Sequence, residues 1–411
     1  MTAYNVVAMG PPGSGKTVFL AALYNALSSG NLASGLRVAL DRESAAWLNA
    51  AYQQIADPTA MWPSGTDPSR PMREVVMSFA VQRTRRPFLI GKPRLVRYPA
   101  FSVTYIDYAG EWLTDLHRQD PELTASFKSR LEDAHVVFCF LDGHRLLRLL
   151  GGRDAAEGKL INELRYTLQQ SMAGPEPIPI VVVLTKWDLL EHRYTLGDVA
   201  DSLAHLGLRE MANERSYRRW LTKRPQGGIW LVPVTATGSS FVRVAAGGAV
   251  EKAGRGSPAP RNILVPLSLG IVDISDMALA DYRKANAPGS GWVSSLQRFV
   301  QGGVGTVSGT SDGTAVNVAG VTFDIRKAIA FSGELSVGAV RLLSWPALMT
   351  VQLLHRRVRR VRARGLDGVS SAEGALMYVG IAIQDKLGQF SRDPGYRASV
   401  LWSDGDRHQV R

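Results

Sequence analysis

An apolar stretch from Tyr4 to Met9 runs directly into Gly10-Pro11-Pro12-Gly13-Ser14-Gly15-Lys16-Thr17, and then into residues 18–27, whose apolar positions recur at helical spacing. The order of strand, G-x-x-x-x-G-K-T and helix constrains the fold more than any other feature, because only a strand-to-helix turn gives that loop its shape. Glycine at 10, 13 and 15 lets backbone amides turn inward to cradle phosphate oxygens, and the N-terminus of the following helix favours their negative charge. Gly10, Gly13, Ser14, Gly15, Lys16 and Thr17 are therefore candidate phosphate contacts. Lys16 is placed to reach the β and γ phosphates and Thr17 to ligate magnesium. The loop alone does not separate adenine from guanine nucleotides.

Three further apolar runs, at 136–141, 178–184 and 229–234, are spaced from the first by amphipathic segments. Continuous apolar strands separated by helix-length segments imply a mostly parallel sheet covered on both faces, an α/β fold. Residues 74–83 and 102–107, joined by a linker rich in Arg and Pro, fit an antiparallel hairpin at the sheet edge. A second helix fits 122–132, and 189–225 reads as a helical insertion. The stretch 243–260, dominated by Gly, Ala, Pro and charge, reads as a loop, with a closing helix starting near Pro260-Arg261-Asn262-Ile263. At 411 residues the chain exceeds one ordinary domain. A nucleotide-type domain over 1–282 and a C-terminal region over 283–411 are the expected division.

Two more motifs carry chemistry. A strand ends in Asp107-Tyr108-Ala109-Gly110-Glu111, where Asp107 can hold magnesium, usually through water, and the Gly110 amide can sense a γ phosphate. Another delivers Thr185-Lys186-Trp187-Asp188 into a loop. The carboxylate of Asp188 can accept from the N1 and N2 hydrogens of guanine, a pair of donors that adenine lacks, and a buried carboxylate left unpaired rejects the wrong base. The Lys186 stem can cover the base. After the next strand, Thr235-Ala236-Thr237 offers a backbone amide near Ala236 for the guanine O6.

In this order the motifs resemble the translation-factor and Ras-related class of P-loop GTPases across residues 4 to about 240. The resemblance implies GTP and GDP as substrate and product, Mg2+ as cofactor, and a threonine in the first switch loop that completes the magnesium shell. Thr66, in Trp62-Pro63-Ser64-Gly65-Thr66, is the leading candidate and Thr59 the alternative. The Trp-Pro-x-Gly-Thr and Asp-Tyr-Ala-Gly-Glu segments also resemble a bacterial group of double-GTPase-like proteins found beside conflict and defence systems. The expected function is a GTP-hydrolysing switch that couples nucleotide state to an effector protein. Two departures point to slow intrinsic turnover: Pro12 stands where the class often has glycine, and Glu111 where a water-positioning glutamine is common. A scaffold that binds GTP but barely hydrolyses it is the competing reading. A P-loop ATPase is the third, and it would need Thr185 to Asp188 to be coincidental.

Hydrophobic content of 45% and charged content of 20% exclude a disordered or fibrous chain. No apolar run reaches the roughly 18 residues that span a bilayer, and no basic leader precedes Tyr4, so a cytoplasmic protein is expected. The single cysteine, Cys139, lies in an apolar run and reads as core filler. The net charge of +12 calls for an acidic partner or a bound triphosphate. One source is 347–364, where Ala347, Val351, Leu354, Val358 and Val361 form an apolar stripe if helical. Arg356, Arg357, Arg359, Arg360, Arg362 and Arg364 fall mostly off that stripe. Such a helix suits anionic lipid, nucleic acid or an acidic protein, or simply packs on its own domain.

Overall fold

The computed structural model describes residues 2–30, 32–66, 72–85, 92–108, 121–152, 157–172, 178–208, 229–245, 248–253, 256–286, 315–318, 321–324, 361, 365–390 and 399–402. They divide between two compact units, one of Met1–Ala278 with Val379–Arg411 and one of Leu279–Tyr378. In chain order the strands are β1 (Ala3–Met9), β2 (Leu36–Leu40), β3 (Met72–Arg85), β4 (Arg94–Tyr108), β5 (Ala134–Asp142), β6 (Ile180–Thr185), β7 (Ile229–Pro233), β8 (Val242–Val244), β9 (Val250–Lys252), β10 (Ala315–Val318), β11 (Val321–Asp324) and β12 (Ser399–Trp402).

The first unit is built on an eight-stranded sheet in the order β12-β7-β6-β5-β1-β4-β3-β2. Five neighbours, β4, β1, β5, β6 and β7, pair in parallel, while β2–β3, β3–β4 and β7–β12 are antiparallel. The valine-rich strands β5 and β6 are buried almost throughout because helices cover both of their faces. On one face, Phe19 of helix α1 (Lys16–Ser28) meets the rings of Phe138 and Phe140 edge-on. On the other, Val137, Cys139 and Leu141 pack with Leu146 and Leu149 of the helix Gly143–Leu150 and with Leu160, Leu164 and Leu168 of the helix Glu157–Met172. Alternation along a single strand thus feeds two cores. Cys139 is fully buried, and burial pushes its thiol up to about 12, which suits core filler.

This is the α/β, mostly parallel, helix-flanked architecture that the apolar runs imply. Several elements were not anticipated. β2 adds an outer strand beyond the expected hairpin, and α2 (Arg42–Ala56) follows it, capped by Asp41, whose carboxylate accepts from the Ser44 amide at 2.8 Å. The segment read as a loop from 243 contains the β8–β9 hairpin, paired from Val242 with Lys252 to Val244 with Val250. The far edge strand, β12, comes from well past residue 282. The closing helix starts at Val265 rather than near Pro260, because Arg261 is held in a bridge with Thr235 and Asn262 adopts φ 57. Of the expected insertion, 189–208 is described and contains the helix Leu196–Leu203, closed by a Thr195–Asp198 capping box. Residues 209–225 lie outside the described set.

In the second unit β10 and β11 pair as a hairpin. Val361 is buried there; the rest of 347–364, with all its arginines, lies outside the described residues. No helix among the described residues is long and apolar enough to cross a membrane.

Candidate functional site

The parallel strands deliver their C-terminal ends to one edge of the sheet, and there a cavity of about 400 Å³ opens. One end is lined by Pro12 to Thr17. Gly13 and Gly15 hold φ of 73° and 90°, which side chains with a Cβ resist. A Cβ on Gly10 would lie 2.7 Å from the Phe140 Cβ, so the loop can lie against β5 only with glycine there. Helix α1 starts at Lys16 with no side chain capping its N-terminus, which leaves its first amides turned toward the cavity. The Lys16 ammonium, buried with its stem, donates to the carbonyl oxygens of Gly10 at 2.8 Å and Pro11 at 3.3 Å. Thr17 lies beside it, 8% exposed.

Asp107, the penultimate residue of β4, lies next to this loop and is completely buried. The Thr66 hydroxyl donates to its Oδ2 at 2.6 Å, and Oδ1 has no hydrogen-bond donor. Burial raises its carboxyl above the usual range, against the opposing pull of Lys16, Thr66 and Arg73. Thr59 is engaged elsewhere: its hydroxyl and amide both donate to Asp57. The geometry therefore puts Thr66, not Thr59, at Asp107. A buried carboxylate with one open oxygen and the nearby threonine hydroxyls are hard oxygen donors that suit Mg2+, which takes few protein ligands and completes its shell from phosphates and water. Consistent with so sparse a donor set, no group of three or more acidic, His or Cys side chains with metal-binding geometry occurs among the described residues.

The other end of the cavity is lined by Lys186, Asp188, Leu189, Val234, Ala236 and Thr237. Asp188 is 4% exposed, its Oδ2 has no hydrogen-bond partner, and burial pushes its carboxyl up to about 6. The neighbouring Thr235 hydroxyl forms no hydrogen bond of normal geometry, yet it is close enough to favour the ionised carboxylate slightly. Ser14 Oγ and Tyr108 Oη are also buried without partners around this cavity. An unsatisfied buried polar atom costs about 1–3 kcal/mol, so their concentration at one cavity marks it as a place for a polar ligand.

The strand register ties the two ends together. The Thr185 hydroxyl shares its proton between the carbonyls of Ser14 at 2.7 Å and Leu141 at 3.2 Å. Lys186, at φ 52, donates to Gly13 O at 2.9 Å and to Asp142 Oδ2 at 2.8 Å. The remaining oxygen of Asp142 caps the helix Gly143–Leu150 through the amides of His144 and Arg145. A Cβ on Gly143 would lie 2.3 Å from Thr185 O, so this corner admits only glycine. Thus the described candidates Gly10, Gly13, Ser14, Gly15, Lys16, Thr17, Thr66, Asp107, Thr185, Lys186, Asp188, Thr235 and Ala236 gather at one edge, whereas Gly110 and Glu111 lie outside the described residues.

Three residues at this edge were not read from the sequence. Asp142 is one, and Leu141-Asp142-Gly143 at a strand end was its available signal. Arg261 is the second: its backbone pairs with Thr235 in both directions and its guanidinium meets Glu191 at 2.5 Å, so it braces both loops around Asp188. Lys252 is the third. Its ammonium donates to the carbonyls of Gln54, Asp57 and Ala60 and lies 5.0 Å from the centre of the Trp62 ring. Trp62 in turn donates Nε1 to Val250 O at 3.1 Å. The β8–β9 hairpin thereby grips the segment that carries Thr66, and no local pattern near Lys252 announces this.

The family model described as Double-GTPase 2 matches residues 5–221, more than half of the chain. No curated protein matches. Among solved structures, similar chains include the signal recognition particle receptor SRb-GTP/SRX complex from Chaetomium thermophilum, at 14% identity and TM-score 0.29, covering 58% of this chain and 93% of that one. The S. cerevisiae Ski7 GTPase-like domain bound to GTP shows 14% identity and TM-score 0.30, covering 70% and 51%. The G domain of the T. maritima FeoB iron transporter shows 14% identity and TM-score 0.23, covering 57% and 88%. Likenesses this distant carry no argument about ligands.

Proposed function

The chain belongs to the Double-GTPase 2 family, and we propose that it is a GTP-binding switch that hydrolyses GTP to GDP and phosphate with Mg2+. The observation that carries this reading is a buried carboxylate with an open oxygen, Asp188, at one end of the cavity whose other end is the phosphate loop. That distance-separated pair suits a guanine base and a triphosphate held at once. A GTP-binding scaffold with little hydrolysis is the alternative, and a P-loop ATPase is less favoured. Single-turnover phosphate release with GTP and with ATP separates the three. Release with GTP alone is expected; equal release with ATP would overturn the base assignment.

In this reading the loop amides and the N-terminus of α1 bind the phosphates, and Lys16 exchanges the Gly10 and Pro11 carbonyls for β and γ oxygens. Thr17, Thr66 and Asp107 would hold Mg2+, which supplies charge neutralisation at the transferring phosphate. Gly110 senses the γ phosphate and Glu111 orients the attacking water. A glutamate accepts from water but cannot donate to the phosphate, and Pro12 stiffens the loop beside it, so intrinsic turnover is expected to be slow. Glu111→Ala should lower turnover at saturating GTP about tenfold or more with affinity spared; a parental rate would mean that the water is held elsewhere.

Lys252 acts in the same reading as a positioning residue for Thr66. Lys252→Ala should release the 57–66 segment, lower kcat several-fold and raise the Mg2+ concentration needed for half-maximal turnover, with GDP affinity little changed. Lys252→Arg should rescue part of the loss, since a guanidinium retains donors and the ring contact. The 57–66 segment, as the hairpin holds it, is proposed as a surface that an effector protein would read, in a cytoplasmic setting. Arg356 to Arg364 are proposed as a further anion-seeking surface, toward lipid, nucleic acid or an acidic protein.

A further inference from the structure

β3 and β4 outrun their neighbours. β2 pairs with β3 only over Met77–Val81, and β1 pairs with β4 only over Ser102–Asp107, yet β3 and β4 stay paired out to Arg85 and Arg94. The last tie to the sheet on that side is the Gln82 amide to Gly35 O at 2.7 Å. Beyond it, among the described residues, β3 and β4 continue as a two-stranded ribbon. Such a ribbon is marginal by itself, and this one is burdened further: Arg85 stands directly opposite Arg94, a like-charge pair that opposes the pairing. Between Glu74 and Asp107 the sequence contains no acidic residue, while Arg83, Arg85, Arg86, Lys92, Arg94 and Arg97 all fall there. Arg85, Arg94 and Arg97 are exposed and make no ion pair among the described residues.

Among the described residues no carboxylate neutralises Arg85, Arg94 and Arg97, and an external polyanion would. The alternation of the strands decides which polyanion. The register puts Arg83, Arg85 and Arg94 on one face and Arg97, beside Gln82 and Thr84, on the other. A membrane surface is flat and would use one face. A groove has two phosphate walls, and the major groove of B-form DNA, about 12 Å wide, admits a two-stranded β-ribbon. Gln82 and Thr84 add hydrogen-bonding groups to the face that carries Arg97. The A-form duplex of RNA, whose major groove is deep and narrow, fits less well.

We infer that the Gln82–Arg85 and Arg94–Arg97 ribbon is a binding surface for double-stranded DNA, gripping phosphates on both sides of the major groove. The test is fluorescence anisotropy of the full chain with a labelled duplex of about 20 base pairs, at about 50 and 200 mM salt. The parent is expected to bind with affinity that falls steeply with salt. Arg85→Gln, Arg94→Gln and Arg97→Gln together should weaken binding at low salt about tenfold or more and flatten the log–log salt slope by about 2 to 3, in line with three lost phosphate contacts. Because Arg94→Gln relieves a like-charge pair, the thermal midpoint of that single variant should be unchanged or higher, and its weaker DNA binding then cannot be attributed to misfolding. A parent that binds no DNA overturns the inference, as does a triple variant that binds as the parent does. So does loss of DNA binding from Arg356→Gln, Arg357→Gln, Arg359→Gln and Arg360→Gln instead, or ribbon-dependent binding to anionic vesicles or duplex RNA in preference to DNA. None of these outcomes depends on the nucleotide reading.

Discussion

Asp188→Asn is expected to reverse the base preference of the protein, weakening GTP by two or more powers of ten while xanthosine triphosphate becomes the better ligand. The carboxylate is 4% exposed and one oxygen lacks a partner, so in the proposed reading it would accept from the N1 and N2 hydrogens of guanine at full strength. An asparagine turns one acceptor into a donor, which repels guanine and suits the additional oxygen of xanthine. Titration calorimetry with both nucleotides checks this; equal losses for the two would remove Asp188 from the base site. The same burial makes the interaction pH-dependent. The Asp188 carboxyl is pushed up to about 6 and guanine needs the ionised form, so protons compete. GTP affinity should fall about tenfold per pH unit below about 6, and the asparagine variant should lose that dependence.

Stability moves the other way. A carboxyl whose folded value lies above its unfolded value favours the folded state when protonated, an advantage complete below about 3.8 and lost as pH rises through about 6. At neutral pH the nucleotide-free protein therefore bears the cost of a buried charge, and Asp188→Asn should raise its Tm even as it weakens GTP binding. A variant that stabilises the fold while it reverses the base preference is a mark of a binding residue rather than a structural one.

The second large effect is expected from Lys16→Ala, which should weaken GTP about a hundredfold or more and bring turnover to background. The Lys16 ammonium is held against the loop carbonyls at 2.8 and 3.3 Å and is the only cation in the phosphate loop, Gly10 to Thr17. In the proposed reading the rest of the triphosphate charge would be met by Mg2+, by loop amides and by the helix terminus, the last two each worth less than a charge-assisted contact. Removing it forfeits two hydrogen bonds of about 1 kcal/mol each but also a buried charge, so the Tm of the nucleotide-free protein should shift by only a few degrees. Stopped-flow binding of a fluorescent GTP analogue with a parallel melt checks both halves. Retained binding would mean that the loop amides suffice, and a collapsed melt that Lys16 is structural.

The legible part of this site shares one property: each motif is short and lies where an apolar run ends. Tyr4 to Met9, the strand reaching Asp107 and the run before Thr185 announced β1, β4 and β6 by periodicity, and the residues just beyond them are those that a parallel sheet delivers to its C-terminal edge. β2 and β12 escaped because strands of five and four residues at a sheet edge carry little pattern. The β8–β9 hairpin escaped because Gly- and Ala-rich sequence reads as loop whether or not its backbone pairs.

The sequence by itself determined the phosphate loop, the order of the parallel strands' motifs and the chemical type of each site residue, because a turn of glycines or an apolar run specifies its own backbone over a few residues. The tertiary structure alone decided which threonine meets Asp107, that Asp142 aims Lys186 at the loop, that Arg261 braces the loops around Asp188, and that Lys252 grips the segment leading to Thr66. These contacts join residues 41, 44, 70 and 192 positions apart. Strand register and the packing of distant elements set them, and no local propensity encodes a partner so remote.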